Sequence, residues 1–552
     1  MTDSNIGGRK KRRIQDHIFI VNGILFDVTR HKKKKHVSIC VYDCRQCFDS
    51  MWQSEVINDI FKAGVKDDKL ALLEEINKTN YMSVKTPLGL TERKEINKVI
   101  CQGDPWGPIQ CSVRIYGIGR ESLNPDLEPY KYKDEVEIPA LGMIDDILTI
   151  SESGYKTARL NSFINAKIAI KKLQLGPKKC SVLHTGKDHE NIELYVDGWA
   201  MKNVKDVETG EIKRQDILEG SMEISHLDSD KYLGQTLSAD GKNTSNIEKM
   251  KNKGIGIQNR IIQMLEVMSG GRYHFQIAVI LRNSLLISSI LSSSEVWYGI
   301  TQSEYEQLER VDEMWMRNLM NCSSTVPKDL LYLELALLPI RFIIQIRRLL
   351  YLHHILQQKE DSLLYRFFMA QLTHPTPKDW VTQVLEDIES LSIELEIEDI
   401  KVMKKSTFKK IVKEAVHKKA FSYLQERKNG RNSDNAKGKK LIYSEFTMAE
   451  YLCPIEEDCT IDEQKWLFQC RVEDIDIKGN HQWKHTNVYC SSCKKDIIEN
   501  QRHILYCDSL LGKNQNLSYI PEYEDLYTGD ITEQIYISRL LKENFNNRMP
   551  DI

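Results

Sequence analysis

An α+β fold built from several units is what the sequence predicts, on three observations. Strand-like and helix-like runs alternate through the first part of the chain, up to about Leu237. From about Asn246 to Arg348 the pattern turns nearly all helical and strongly apolar. A Cys/His spacing then stands near the C-terminal end, after a polar, Gly-containing stretch. The 552 residues, 41% of them hydrophobic, supply ordinary cores for about three or four domains.

Taken in order, Gly7-Gly8-Arg9-Lys10-Lys11-Arg12 precedes Asp16 and an apolar run that reads as a first helix. Apolar alternation and β-branched residues mark strands at Val37 to Tyr42, Met82 to Lys85, Val136 to Thr149 and Ser181 to His184. Helical periodicity marks Ser54 to Lys62, Lys69 to Asn77 and Thr157 to Leu173. Pro105 and Pro108 stand before a helix-like stretch from Ile109 to Leu123, proline being suited to a first helical turn. Between Gly186 and Leu227 the chain is polar, and Asp197-Gly198 and Thr209-Gly210 signal turns of an inserted β-hairpin region. The apolar run from Ile277 to Val296 is broken by Arg282-Asn283 and rich in serine, so it predicts a buried helix and not a membrane span.

Two acidic clusters carry the chemistry. Asp43 ends the strand-like run Val37 to Tyr42, and Asp145-Asp146 sits in the apolar setting Met143-Ile144-Asp145-Asp146-Ile147. One aspartate ending a strand and a doublet at a hairpin tip would hold hard divalent cations between adjacent strands. In a chain with 79 acidic residues such a doublet is more often a solvated turn, and the order of the surrounding motifs decides between the two.

That order runs Asp43-Cys44-Arg45-Gln46-Cys47-Phe48-Asp49-Ser50, Gln102-Gly103-Asp104-Pro105-Trp106-Gly107-Pro108, the Asp145-Asp146 doublet, Leu173 to Lys179, and Lys231-Tyr232-Leu233-Gly234. The series resembles the ordered motifs of the reverse transcriptases of non-LTR (LINE-type) retrotransposons. The resemblance implies a right-hand polymerase: an α+β palm with partial fingers, a helical thumb and a C-terminal zinc-knuckle module. It implies that Asp43 and Asp145, with Asp146 beside them, hold two Mg²⁺ ions for nucleotidyl transfer, and that Lys179 meets the leaving pyrophosphate. Arg9 falls where the family places a base on the triphosphate, Gln102 and Gly103 where it cradles the nucleotide, and Tyr232-Leu233-Gly234 where it grips the primer. Asp49 matches a structural acid. Phe48 falls at an aromatic that packs under the nucleotide sugar; as a residue it reads equally as a core phenylalanine. Cys47, Trp106-Gly107 and Met143-Ile144 depart from the family's usual alanine, Leu-Ser and aromatic-alanine. The family carries further finger strands ahead of the Gly7-Gly8-Arg9 motif, so an N-terminally truncated element is expected.

Units follow from the same map: residues 1–35 partial fingers, 36–245 palm with the inserted hairpin, 246–345 thumb, 346–440 helical connection and linker, and 441–552 the C-terminal module. Arg427 to Lys440, rich in Asn, Lys, Gly and Asp, reads as a flexible linker. Beyond it, Cys490 and Cys493 are followed by His503 and Cys507; three thiolates and one imidazole suit a closed, structural Zn²⁺ site. Buried free cysteines are the other reading of that spacing. The resemblance places a CCHC knuckle here, with Glu499 in its approach, and a nucleic-acid-binding task.

Net charge is only −2, with 77 basic against 79 acidic residues, so nucleic-acid binding falls to local patches. Arg9 to Arg13, Lys32 to Lys35 and Lys401 to Lys419 are such runs. In the last, Met403, Phe408, Ile411, Val412, Ala415 and Val416 recur at helical spacing, giving an amphipathic helix with a basic outer face that could be solvated or touch a duplex. Thirteen scattered cysteines and a basic, non-apolar N-terminus predict a reducing nucleus or cytoplasm and no secretion. The implied partners are an RNA template, a DNA primer or target DNA, and dNTPs, with no membrane. The alternative is a catalytically silent nucleic-acid-binding remnant of such an element; a maturase-like splicing cofactor fits less well.

Overall fold

The Ser38–Asp43 strand lies at the centre of the sheet that organises the first half of the chain, because its residues Ile39, Cys40, Val41 and Tyr42 are apolar toward both faces. The computed structural model describes residues 5–7, 9–30, 36–78, 81–96, 106–185, 193–205, 212–268, 274–430, 437–438, 440–453, 459–478, 480, 487–513 and 519–548. The five strands run in the order Ser225–Leu227, Ser181–His184, Ser38–Asp43, Asp146–Ser151, Leu141–Met143. All neighbours are antiparallel except the first pair, which is parallel.

One sheet face, carrying Ile39, Val41, Leu148, Ile150 and Leu183, packs against the Ile14–Arg30 helix and against helices between Ile340 and Asn429. The other face, with Cys40, Tyr42, Ile147 and Val182, is covered by the Gln53–Lys62, Gly107–Glu121 and Gly154–Ile170 helices. The last of these starts three residues earlier than its apolar period predicts, because Ser153 caps it by accepting from the Lys156 amide.

Several expectations change on inspection. Met82 to Lys85 is not one strand: Tyr81–Met82 pairs with Lys94–Glu95 and Lys85–Thr86 with Gly89–Leu90, two exposed ribbons that propensity alone merges. Val136 to Thr149 resolves into Val136–Ile138, Leu141–Met143 and Asp146–Ser151. Asp197-Gly198 is not a hairpin turn. It lies inside the Tyr195–Lys205 strand, and the register shift between Gly198 and Trp199 leaves residue 219 of the partner strand Ile212–Glu223 as the extra, bulged residue. The reversal follows Lys205, and Thr209-Gly210 lies outside the described residues.

A third core joins the helices from Thr244 to Leu356 with residues 424–541. Within it the apolar run that begins near Ile277 passes through a π-helical turn at Arg282–Ile287, and the buried Arg282 guanidinium is matched by Asp312 at 2.6 Å. Glu334 is likewise fully buried; it accepts from Tyr443 at 2.7 Å and Tyr451 at 2.6 Å and pairs with Arg471. Of the stretch read as a linker, residues 431–436 and 439 lie outside the described residues; at its ends the Lys405–Asn429 helix closes, Arg427 pairs with Asp329 at 3.2 Å and Lys437 with Asp474 at 2.7 Å. Distant acids fix these basic residues, which local composition does not reveal. Among the described residues no helix is long and apolar enough to cross a membrane.

Candidate functional site

Antiparallel pairing of Ser38–Asp43 with Asp146–Ser151 sets Asp43 directly opposite Asp146. Residues in register on one sheet face bring their side chains together. Asp145 occupies the turn before Asp146, where Ile144 takes a left-handed φ of 60° to reverse the chain between Met143 and Asp146. The sequence reading pairs Asp43 first with Asp145; the register gives Asp146 the direct cross-strand position.

Both doublet carboxyls are harder to ionise than usual. Burial, then Asp145 and Asp43, push Asp146 up to about 6, opposed by Lys179 and Lys231. Burial also raises Asp145, with Asp43 adding to the rise and the turn's own amide and Lys179 opposing it. Lys179 donates to Asp43 Oδ2 at 3.2 Å. It stands there because Gln174 to Gly176 zip onto the end of the Asp43 strand: the Arg45 amide donates to Gln174 and the Gly176 amide to Asp43, at 2.8 and 2.9 Å.

The N-terminal segment seals the other side. The Ile6 amide donates to the Gly142 carbonyl at 3.1 Å and Ser112 Oγ to the Gly7 carbonyl at 3.1 Å. A Cβ at Gly7 would stand 2.7 Å from the Ile144 nitrogen, so glycine is what allows this strand-side approach. Arg9, held by Nη1 donating to the Asn5 carbonyl at 3.0 Å, belongs to that same segment against the Asp145 turn. Gln102 and Gly103, together with Pro105, lie outside the described residues.

Phe48 is half-buried against the core that contains Cys44, Cys47 and Tyr42, so packing accounts for part of its ring; Asp49 is exposed. Tyr232 is buried, its hydroxyl 3.3 Å from His17 Nδ1, and it anchors a hairpin. Leu233 and Gly234 form the two-residue turn to Gln235, with φ of 45° and 85°, the doubly positive geometry of a tight hairpin. The sequence reading missed Lys231, which acts on Asp146, and the close approach that Gly7 allows, because both effects come from segments far apart in the chain.

The second constellation is drawn together as expected. One donor atom from each of Cys490, Cys493, His503 and Cys507 lies within 4.8 Å of the others, the one such set of three or more among the described residues. Cys490 hangs on its amide bond to the Ile497 carbonyl, and Asn500 caps the Gln501–Tyr506 helix that presents His503. Cys493 Sγ and His503 Nε2 are 3.5 Å apart. Zn–S and Zn–N bonds at a tetrahedral angle require about 3.5 Å, so the set fits zinc. Burial holds His503 below its usual value, keeping the imidazole neutral. Asp43 and the Asp145-Asp146 doublet offer only oxygen donors, the ligand type that hard divalent cations take.

No curated protein matches the chain. Telomerase from Candida albicans, solved with a TWJ fragment of telomeric RNA, is 12% identical over 60% of this chain and 50% of that chain, with a TM-score of 0.25. The Candida tropicalis telomerase, solved with the same kind of fragment, is 11% identical over 72% of this chain and 52% of that chain, with a TM-score of 0.28. The chain thus spans about half the length of these telomerase chains, and likeness this low carries no argument. The family model described as reverse transcriptase (RNA-dependent DNA polymerase) matches residues 1–237, so this stretch, which holds Asp43, Asp145, Asp146 and Lys179, is similar to that family.

Proposed function

We propose that this chain is an RNA-directed DNA polymerase of the kind encoded by non-LTR retrotransposons, extending a primer 3′-hydroxyl, including that of target DNA, on an RNA template. The carrying observation is Asp43 opposite Asp146 with Asp145 at the adjoining turn and Lys179 on Asp43, inside the stretch that matches the reverse transcriptase model. Two Mg²⁺ ions held there would activate the 3′-hydroxyl and neutralise the leaving pyrophosphate. Asp43, Asp145 and Asp146 would supply the oxygen donors, and a bound cation would offset the burial and like charges that make the doublet hard to ionise. Lys179 reaches from Asp43 toward the leaving group, and Arg9 offers a charge to the triphosphate. Phe48, Gln102 and Gly103 would shape the nucleotide pocket, and the Tyr232-Leu233-Gly234 turn would hold the primer end. The helices after Thr244 would hold the duplex by its shape and backbone.

Cys490, Cys493, His503 and Cys507 would bind one structural Zn²⁺ as a nucleic-acid-binding knuckle. The test is primer extension on an RNA template with Mg²⁺ by the parent and by the Asp145→Ala, Asp146→Ala double variant. DNA synthesis by the parent alone is expected. If neither extends while both bind template–primer, the chain is a catalytically silent binding remnant and the polymerase reading fails.

A further inference from the structure

The Lys405–Asn429 helix carries eight Lys or Arg and two Glu, and its charges are unevenly placed. Phe408, Val412, Val416, Ala420 and Leu424, one every four residues, are fully buried and fasten one face to the neighbouring helices. On the exposed side the same four-residue repeat generates two adjacent rows. Lys405, Lys409 and Lys413 form one and lead to His417; Lys410, Glu414 and Lys418 form the other.

A helix that needs charge only for solubility gains by placing Glu four residues from Lys, whereas Lys405, Lys409 and Lys413 repel one another at that spacing. Of these lysines only Lys410 pairs with an acid of its row, Glu414 at 3.9 Å. Among the described residues, Lys405, Lys409, Lys413 and Lys418 have no ion-pair or hydrogen-bond partner. His417 is held below its usual value by burial and then by Lys413. Lys404, Lys419 and the Lys401–Glu360 pair at 2.7 Å border the rows and leave them basic.

We propose that this face is a second nucleic-acid-binding surface, outside the candidate active site, that takes the phosphate backbone of a duplex without reading its sequence. From Lys405 to Lys418 the helix spans about 20 Å, along which a duplex presents roughly a dozen phosphates. Charge complementarity therefore selects a polyanion of regular spacing. A membrane surface fits less well, because the helix has its whole apolar stripe buried in the protein and nothing to insert into lipid. The choice of nucleic acid rests on the reverse transcriptase reading of residues 1–237. Helical RNA and duplex DNA share this chemistry, and the test separates them.

The experiment measures binding of the full chain to a blunt, labelled RNA duplex and to its DNA counterpart by fluorescence anisotropy, from about 50 to about 200 mM salt, the range over which counterion release is large. It compares the parent with Lys405→Gln, Lys409→Gln, Lys413→Gln, exposed changes that keep good helix formers. Losing three phosphate contacts should flatten the log–log salt slope by about 2.7, so that the parent loses about 40-fold more affinity than the variant across that range. The triple arginine variant should restore the slope. An unchanged slope, or lysine-dependent binding to phosphatidylserine vesicles with none to either duplex, overturns the proposal. Primer extension run alongside keeps the two readings apart: a parent that fails to extend but shows the lysine-dependent slope refutes polymerase activity alone.

Discussion

Replacing Asp146 with asparagine should stabilise the metal-free protein. Its carboxyl is pushed from an ordinary 3.8 to about 6, so the folded state holds this proton more tightly than the unfolded state does. For a raised acid, stability is full below the unfolded value and falls as pH climbs from 3.8 through about 6, then stays level. A rise of that size is worth roughly 3 kcal/mol at most. The carboxylate is only partly buried, and solvent screening brings the expected loss down to about 1–2 kcal/mol. An asparagine side chain has the same shape and no charge to lose. Urea denaturation of parent and Asp146→Asn in chelator, at steps from pH 5 to pH 8, should therefore show a gap in the variant's favour that widens to about pH 7 and then holds. Added Mg²⁺ should close the gap by stabilising the parent alone, as any ligand of the folded state does. A gap that is flat with pH, or a variant less stable than the parent at pH 8, would refute the claim that burial and neighbouring like charges disfavour a carboxylate at this register position.

Gly7→Ala should cut primer extension by about tenfold or more and cost roughly 1–3 kcal/mol, because its methyl would meet Ser112 Oγ at 2.6 Å and the backbone of Ile144 at 2.7 Å; normal activity in this variant would sink the account of the seal. Metal analysis of the purified chain should find one zinc, lost in Cys507→Ser. Since Cys490 and Cys507 are buried in the core shared with the helices after Thr244, that variant should also expose residues 487–513 to protease, and unchanged digestion would argue against a structural ion.

The central strand, the doublet turn, the helices on the sheet and the Cys/His set were all legible in the sequence, because each is written in local periodicity or close spacing. Less legible were contacts whose two halves lie far apart. Gly7 against Ile144, Glu334 against Tyr443, Tyr451 and Arg471, and Lys437 against Asp474 leave no local trace. Lys437 shows why: a polar residue looks the same in sequence whether water or a distant acid satisfies it. Asp197-Gly198 was misread for a related reason, since a turn-like dipeptide also fits inside a strand once a partner strand pairs with it.

By itself the sequence determined which chemistry the chain can hold: carboxylates at strand ends for hard cations, and three thiols with an imidazole for zinc. Tertiary structure alone decided that Asp146, not Asp145, faces Asp43 in register, and that the C-terminal residues share a core with the helices after Thr244. Side-chain chemistry is a property of one residue, whereas register and shared burial belong to pairs of segments and exist only once the chain has folded.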